Sequence, residues 1–129
     1  MAGELILIVE DNEKNRKLVR DVLQFKGYRT VEAETGEIGL SLAREARPVL
    51  ILMDIQLPGM SGIDALGHLR ADPVTRAIPV VAVTASAMMQ DRQRILAAGF
   101  DAYQSKPIDV KGFLELVATL VAAGPRERA

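Results

Sequence analysis

Side chains able to do chemistry stand at the ends of short apolar runs in this chain. Glu10-Asp11 closes the run Leu5–Val9, Asp54 closes residues 49–53, Thr84 closes residues 79–83, and Lys106 follows residues 101–105. If these runs are neighbouring strands, three carboxylates, one hydroxyl and one ammonium share a single edge. Two carboxylates about 4 Å apart repel by about 4 kcal/mol at an effective dielectric of ~20. That is roughly three pK units per pair, so three ionised acids need either protons or a cation. The chain has no cysteine, and its only histidine, His68, falls away from these residues. Hard oxygen donors without His or Cys favour Mg²⁺, which accepts one or two carboxylates and keeps waters for a phosphate oxygen. Lys106 supplies a second positive charge. A nucleophile, charge neutralisation and positioning donors together are the equipment of phosphoryl transfer.

The elements that must position these groups follow from hydrophobic spacing. Leu5–Val9, 49–53 and 79–83 are continuously apolar, as strands buried on both faces are. Residues 28–33 and 101–105 are weaker strand candidates. Leu18, Val19, Val22 and Leu23 predict a helix over residues 12–26, stopped at Gly27. Ile38, Leu42 and Ala46 mark a second, ended by Pro48; Ile63, Leu66 and Leu69 mark a third, ended by Asp72-Pro73. Ile95, Leu96 and Ala98 mark a fourth, ended by Gly99, and Phe113, Leu114, Val117, Leu120 and Val121 a fifth. The alternation predicts an α/β fold, a doubly wound five-stranded parallel sheet with five helices and right-handed crossovers. In such sheets the functional crevice lies beyond the carboxyl ends of the strands, where the chemical groups fall.

The chain has 129 residues, enough for one domain, expected over residues 1–123 with a frayed tail at 124–129. A net charge of −1 gives no general attraction to nucleic acid or anionic membrane. The N-terminal apolar run lacks a basic leader and stops after five residues, unlike a signal peptide. No stretch approaches the ~20 apolar residues of a membrane span, so a soluble cytoplasmic domain is expected.

Four stretches, in order and at these spacings, carry a family resemblance. They are Ile8-Val9-Glu10-Asp11-Asn12, the run Leu52-Met53-Asp54-Ile55-Gln56-Leu57-Pro58-Gly59-Met60-Ser61-Gly62, Val83-Thr84-Ala85 and Ser105-Lys106-Pro107. The chain resembles response-regulator receiver domains of two-component signalling over nearly its whole length, and is similar in style to the DivK-type single-domain regulators. The resemblance implies the flavodoxin-like receiver fold, strand order 2-1-3-4-5. It makes Asp54 the phosphoacceptor, with Mg²⁺ held by Glu10 (directly or through water), Asp11, Asp54 and the backbone carbonyl of Gln56. Thr84, the Ala85 amide and Lys106 would hold phosphoryl oxygens, and the peptide before Pro107 would be cis. Thr84 and Tyr103 would form a switch acting on the face made by the fourth helix, fifth strand and fifth helix. The donor would be a histidine kinase or a histidine phosphotransfer protein. Its docking surface is expected around Asn12, Lys14, Asn15, Leu18 and Ile108, and output would pass to a downstream protein. A receiver excised from a hybrid histidine kinase or longer regulator is the alternative context.

Each residue also has a plainer reading. Asp54 alone would be a cap or turn residue, Glu10-Asp11 a helix N-terminal charge pair, Thr84 a cap, Lys106 a surface lysine and Tyr103 core filler. Met88 and Met89 are packing residues or, if exposed, part of an adaptable partner surface. His68 is read as structural or solvated. A nucleotide binder would need a glycine- or hydroxyl-rich loop where Glu10-Asp11-Asn12-Glu13 stands. An aspartyl-phosphate hydrolase of the haloacid-dehalogenase type wants an acid two residues after the nucleophile, and Gln56 occupies that place.

Overall fold

The computed structural model describes residues 3–85 and 89–126. Strand and helix alternate through β1 (Leu5–Val9), α1 (Glu13–Phe25), β2 (Arg29–Ala33), α2 (Gly36–Ala46), β3 (Leu50–Asp54), α3 (Gly62–Ala71), β4 (Val80–Thr84), α4 (Met89–Ala97), β5 (Ala102–Ser105) and α5 (Val110–Ala123). The strands form one parallel sheet in the order β2-β1-β3-β4-β5, as the family resemblance implied.

Side chains alternate across a strand, so each central strand feeds two layers. Leu7, Val9, Ile51, Met53, Val80 and Ala82 pack with Ala43, Leu66, Leu69 and Ile95 on one face of the sheet. Ile6, Ile8, Leu50, Leu52, Val81 and Val83 pack with Val19, Leu23, Phe113 and Val117 on the other. Burial on both faces is why these strands are apolar without interruption. β2 and β5 lie at the sheet edges with mostly half-buried residues, which explains their weaker signal.

Strands β3 and β4 run one residue further than their apolar runs. Asp54 and Thr84 are themselves the last strand residues, because the Ile55 amide donates to the Val83 carbonyl at 3.0 Å and the Lys106 amide to the Thr84 carbonyl at 2.8 Å. The ladder thereby fixes the backbone of the chemical residues. Asn12 caps α1, accepting from the Asn15 amide at 3.0 Å, and Asp109 caps α5, accepting from the Gly112 amide at 3.2 Å. Each such cap contributes about 1 kcal/mol. Both helices therefore start immediately beyond the edge that carries Glu10, Asp11 and Lys106.

The second helix is turned relative to its apolar marks. Ile38 is 48% exposed, whereas Gly36, Gly39 and Ala43 are buried. A Cβ at Gly39 would lie 2.8 Å from Val9 Cγ2. The helix thus approaches β1 through small residues, too closely for larger ones.

The chain beyond α5 is tied down at its start rather than frayed throughout. The Arg126 amide donates to the Ala77 carbonyl at 2.9 Å, and its guanidinium meets Asp101 Oδ1 at 2.9 Å. Asp101 also accepts from Arg70 at 3.0 Å and from the Val80 amide at 2.7 Å. Residues 127–129, the rest of the expected tail, lie outside the described residues, as do Met88 and the side chain of Met89. Among the described residues no helix is long and apolar enough to cross a membrane.

Candidate functional site

β1, β3, β4 and β5 end together, and their last residues and immediate successors form the site. Glu10, Asp54 and Thr84 are buried, and Asp11 is exposed. One carboxylate oxygen from each of Glu10, Asp11 and Asp54 lies within 4.8 Å of the others. The Lys106 ammonium sits between two of these acids, 2.8 Å from Glu10 Oε1 and 3.1 Å from Asp54 Oδ2. The other oxygens are also engaged: the Asn12 amide donates to Glu10 Oε2 at 3.1 Å, and the Gln56 amide to Asp54 Oδ1 at 2.9 Å. The Lys106–Pro107 peptide is cis.

The charges do not balance. Burial pushes the Glu10 carboxyl above its ordinary value, and the neighbouring Asp54 carboxylate adds to the rise; Lys106 and the Asn12 amide only partly oppose it. Burial acts to lower the Lys106 ammonium, but Glu10 and Asp54 outweigh it and hold it above the ordinary lysine value. Both directions say that the site gathers positive charge more readily than free groups do. Its donor set of carboxylate oxygens without His or Cys fits a hard divalent cation such as Mg²⁺.

A pH effect follows. A carboxyl raised on folding binds more protons in the native state than in the unfolded chain, so its contribution to stability falls as pH rises through that window. The metal-free Glu10→Gln protein should therefore gain stability relative to wild type as pH climbs from the ordinary glutamate range toward neutrality. Urea unfolding in EDTA at several pH values measures this. A stability difference independent of pH would show that Glu10 is not strained.

The remaining expected residues fall as follows. Ala85 is exposed directly after Thr84, at the mouth. Thr84 pairs in register with Ser105, and Tyr103 lies two residues earlier in β5, opposite Ala82. Period-two alternation places Thr84 and Tyr103 on the same face as diagonal cross-strand neighbours. Tyr103 is half-buried against that face's core, with the Arg92 guanidinium of α4 5.0 Å over its ring. Asn12 and Lys14 are exposed, Asn15 is half-buried, Leu18 is 45% exposed, and Ile108 is half-buried against the α1–α5 layer. His68 is exposed on α3.

Two contributors escaped the spacing argument. A Cβ at Gly62 would collide with the carbonyl oxygen of Asp54 and lie 2.9 Å from Ile55 Cα, so only glycine lets α3 start against the backbone that carries Asp54. Arg16 donates to the Glu10 carbonyl at 2.9 Å, joining α1 to the acid pair. Its five-residue distance from Asp11 was the available signal.

This fold and edge are those of a receiver: residues 6–118 match the response regulator receiver domain, and the chain belongs to that family. Among its relatives, the polar-differentiation response regulator DivK of Brucella anthropi is 52% identical over 112 residues, covering 87% of this chain and 91% of that protein. The DivK of Brucella ovis is 51% identical over the same shares. The receiver domain of a Pseudomonas aeruginosa sensor histidine kinase, solved with a magnesium ion coordinated in its active-site cleft, superposes with TM-score 0.87 at 33% identity, covering 94% of this chain and 99% of that one. The chemotaxis protein CheY4 of Vibrio cholerae gives TM-score 0.86 at 25% identity, covering 92% and 99%.

Proposed function

We propose that this DivK-like receiver accepts a phosphoryl group on Asp54 from a phosphohistidine and passes the change on through protein binding. The observation that carries this is the convergence of the Asp54 carboxylate with Glu10, Asp11 and the Lys106 ammonium at the carboxyl edge of the sheet. In the transfer, a carboxylate oxygen of Asp54 forms the new O–P bond, the donor's N–P bond breaks, and the electron pair stays with the imidazole nitrogen. Glu10, Asp11, Asp54 and the backbone carbonyl of Gln56 would hold Mg²⁺, as the magnesium-bound relative supports. Bound there, the ion would offset the negative charge of the phosphoryl oxygens. Lys106 neutralises a further oxygen, while the Thr84 hydroxyl and the Ala85 amide donate to the others.

The phosphoryl group adds roughly −1.5 to −2 charge and new acceptor oxygens. Thr84 moves toward them, and Tyr103, its neighbour on the same face, follows. This biases the α4–β5–α5 face between two states and alters a downstream protein's affinity. The donor, a histidine kinase or phosphotransfer protein, docks over Asn12, Lys14, Asn15, Leu18 and Ile108. The setting is cytoplasmic, and the domain catalyses only its own phosphorylation and dephosphorylation.

The test is labelling by a small phosphodonor, acetyl phosphate, with Mg²⁺ and with EDTA. Label approaching one per chain, dependent on Mg²⁺ and lost on hydroxylamine treatment, is expected. Labelling that ignores EDTA, or no labelling at all, overturns the proposal.

A further inference from the structure

We infer that Arg16, braced by Glu32 and Arg20, is a positioning residue that sets the direction of the Glu10-Asp11 acid pair; the inference rests on the Mg²⁺-dependent reading of the site. Its guanidinium uses separate edges for separate tasks. One terminal nitrogen donates to the carbonyl oxygens of Glu10 at 2.9 Å and Asp11 at 3.4 Å, while Nε donates to Glu32 Oε1 at 3.2 Å. Glu32 also accepts from Arg20, at 3.1 and 3.3 Å. The Arg16 side chain is only 14% exposed, so the contacts are sheltered from solvent.

The geometry brackets one stretch of backbone. β2 pairs with β1 in register, Glu32 opposite Ile8 and Ala33 opposite Val9. The Glu10 amide donates to the Ala33 carbonyl at 3.0 Å, and the Glu10 carbonyl is held by Arg16, itself anchored on Glu32. Both polar groups of Glu10's main chain are thus fixed from the same edge strand. Asp11 needs this more than Glu10 does. Glu10's carboxylate has Lys106 and the Asn12 amide, whereas among the described residues no hydrogen bond or ion pair fixes the carboxylate of Asp11. Its direction is set by its backbone, and that backbone is held by Arg16 and by the start of α1. A planar fork with several donors can hold two carbonyls and a carboxylate together; a lysine ammonium at the same place cannot reproduce it.

The role can be separated from simple charge because the two make opposite predictions. Arg16 is a cation beside the Glu10-Asp11 pair, so its removal by electrostatics alone would tighten Mg²⁺ binding. A positioning role predicts weaker binding despite the lost positive charge. Calorimetric Mg²⁺ titration of the full chain should show at least a fivefold loss of affinity in both Arg16→Ala and Arg16→Lys, although the second keeps its charge. Acetyl-phosphate labelling of Arg16→Lys should return to the wild-type rate once Mg²⁺ is saturating, because Asp54, Thr84 and Lys106 are untouched. Tighter binding in Arg16→Ala with unchanged binding in Arg16→Lys would overturn the inference, leaving Arg16 a charge only. Unchanged affinity in both, with a lower melting temperature, would overturn it too, as a purely structural brace. If Arg16→Ala does not fold, Arg16→Lys decides alone. A wild type that binds no Mg²⁺ refutes the proposed function instead, and this inference with it.

Discussion

Replacing Asp54 with asparagine should abolish labelling by acetyl phosphate or a phosphohistidine donor while leaving the fold in place. An amide oxygen is a poor nucleophile, and Glu10, the buried acid beside it, is pinned by Lys106 and the Asn12 amide. The expected loss is at least a thousandfold, which corresponds to about 4 kcal/mol of barrier. Stability should not suffer similarly. The oxygen of the substituted side-chain amide can still accept from the Gln56 amide, the contact that Asp54 makes at 2.9 Å. The substitution also removes one of the crowded carboxylates, so the metal-free variant should unfold at an equal or higher urea concentration. Labelling with peptide mapping and a urea titration measure the two halves. Hydroxylamine-sensitive label retained at wild-type rate would end the assignment of Asp54 as phosphoacceptor.

Removing the Lys106 ammonium should move binding and chemistry in opposite directions. The ammonium occupies oxygens of Glu10 and Asp54, two of the acids that would hold a divalent ion, and so competes with it. Lys106→Ala should therefore bind Mg²⁺ more tightly than wild type. The same variant loses a preorganised donor for the phosphoryl oxygens, an effect of roughly a hundredfold on the rate when such donors are deleted elsewhere. Calorimetry gives the affinity, and labelling kinetics at saturating Mg²⁺ give the rate. A rate within twofold of wild type would reduce Lys106 to a counter-ion of the resting protein.

The two central layers and the site edge were legible for one physical reason. β1, β3 and β4 are buried on both faces, so their sequences are apolar until the residue that must reach the crevice, and the break in apolarity is itself the signal. Glu10, Asp11, Asp54 and Thr84 stand at such breaks, whereas Lys106 follows the half-buried edge strand β5 and was marked by the order of elements and the Ser105-Lys106-Pro107 motif. Hydropathy misplaced the inner face of α2, because close approach at Gly36, Gly39 and Ala43 is a matter of size rather than of polarity. It was also blind to Arg16, Arg20 and Glu32: these long side chains link α1 to β2 across sixteen or twelve residues, and in sequence they are ordinary surface charges. The hold on Arg126 escaped for the same reason, since its partner Asp101 lies 25 residues away.

That hold has a mechanical consequence. At the amino end of β4 and β5, the Asp101 carboxylate meets two arginines and a backbone amide, and its side chain is 1% exposed. At the carboxyl end of the same sheet, three acids gather and one ammonium bridges two of them, Glu10 and Asp54. One end is clamped and the other is under electrostatic load, so the sheet behaves as an abutment. Sliding β5 against β4 to relieve that load would break the Val80–Asp101 contact and disturb both arginine pairs.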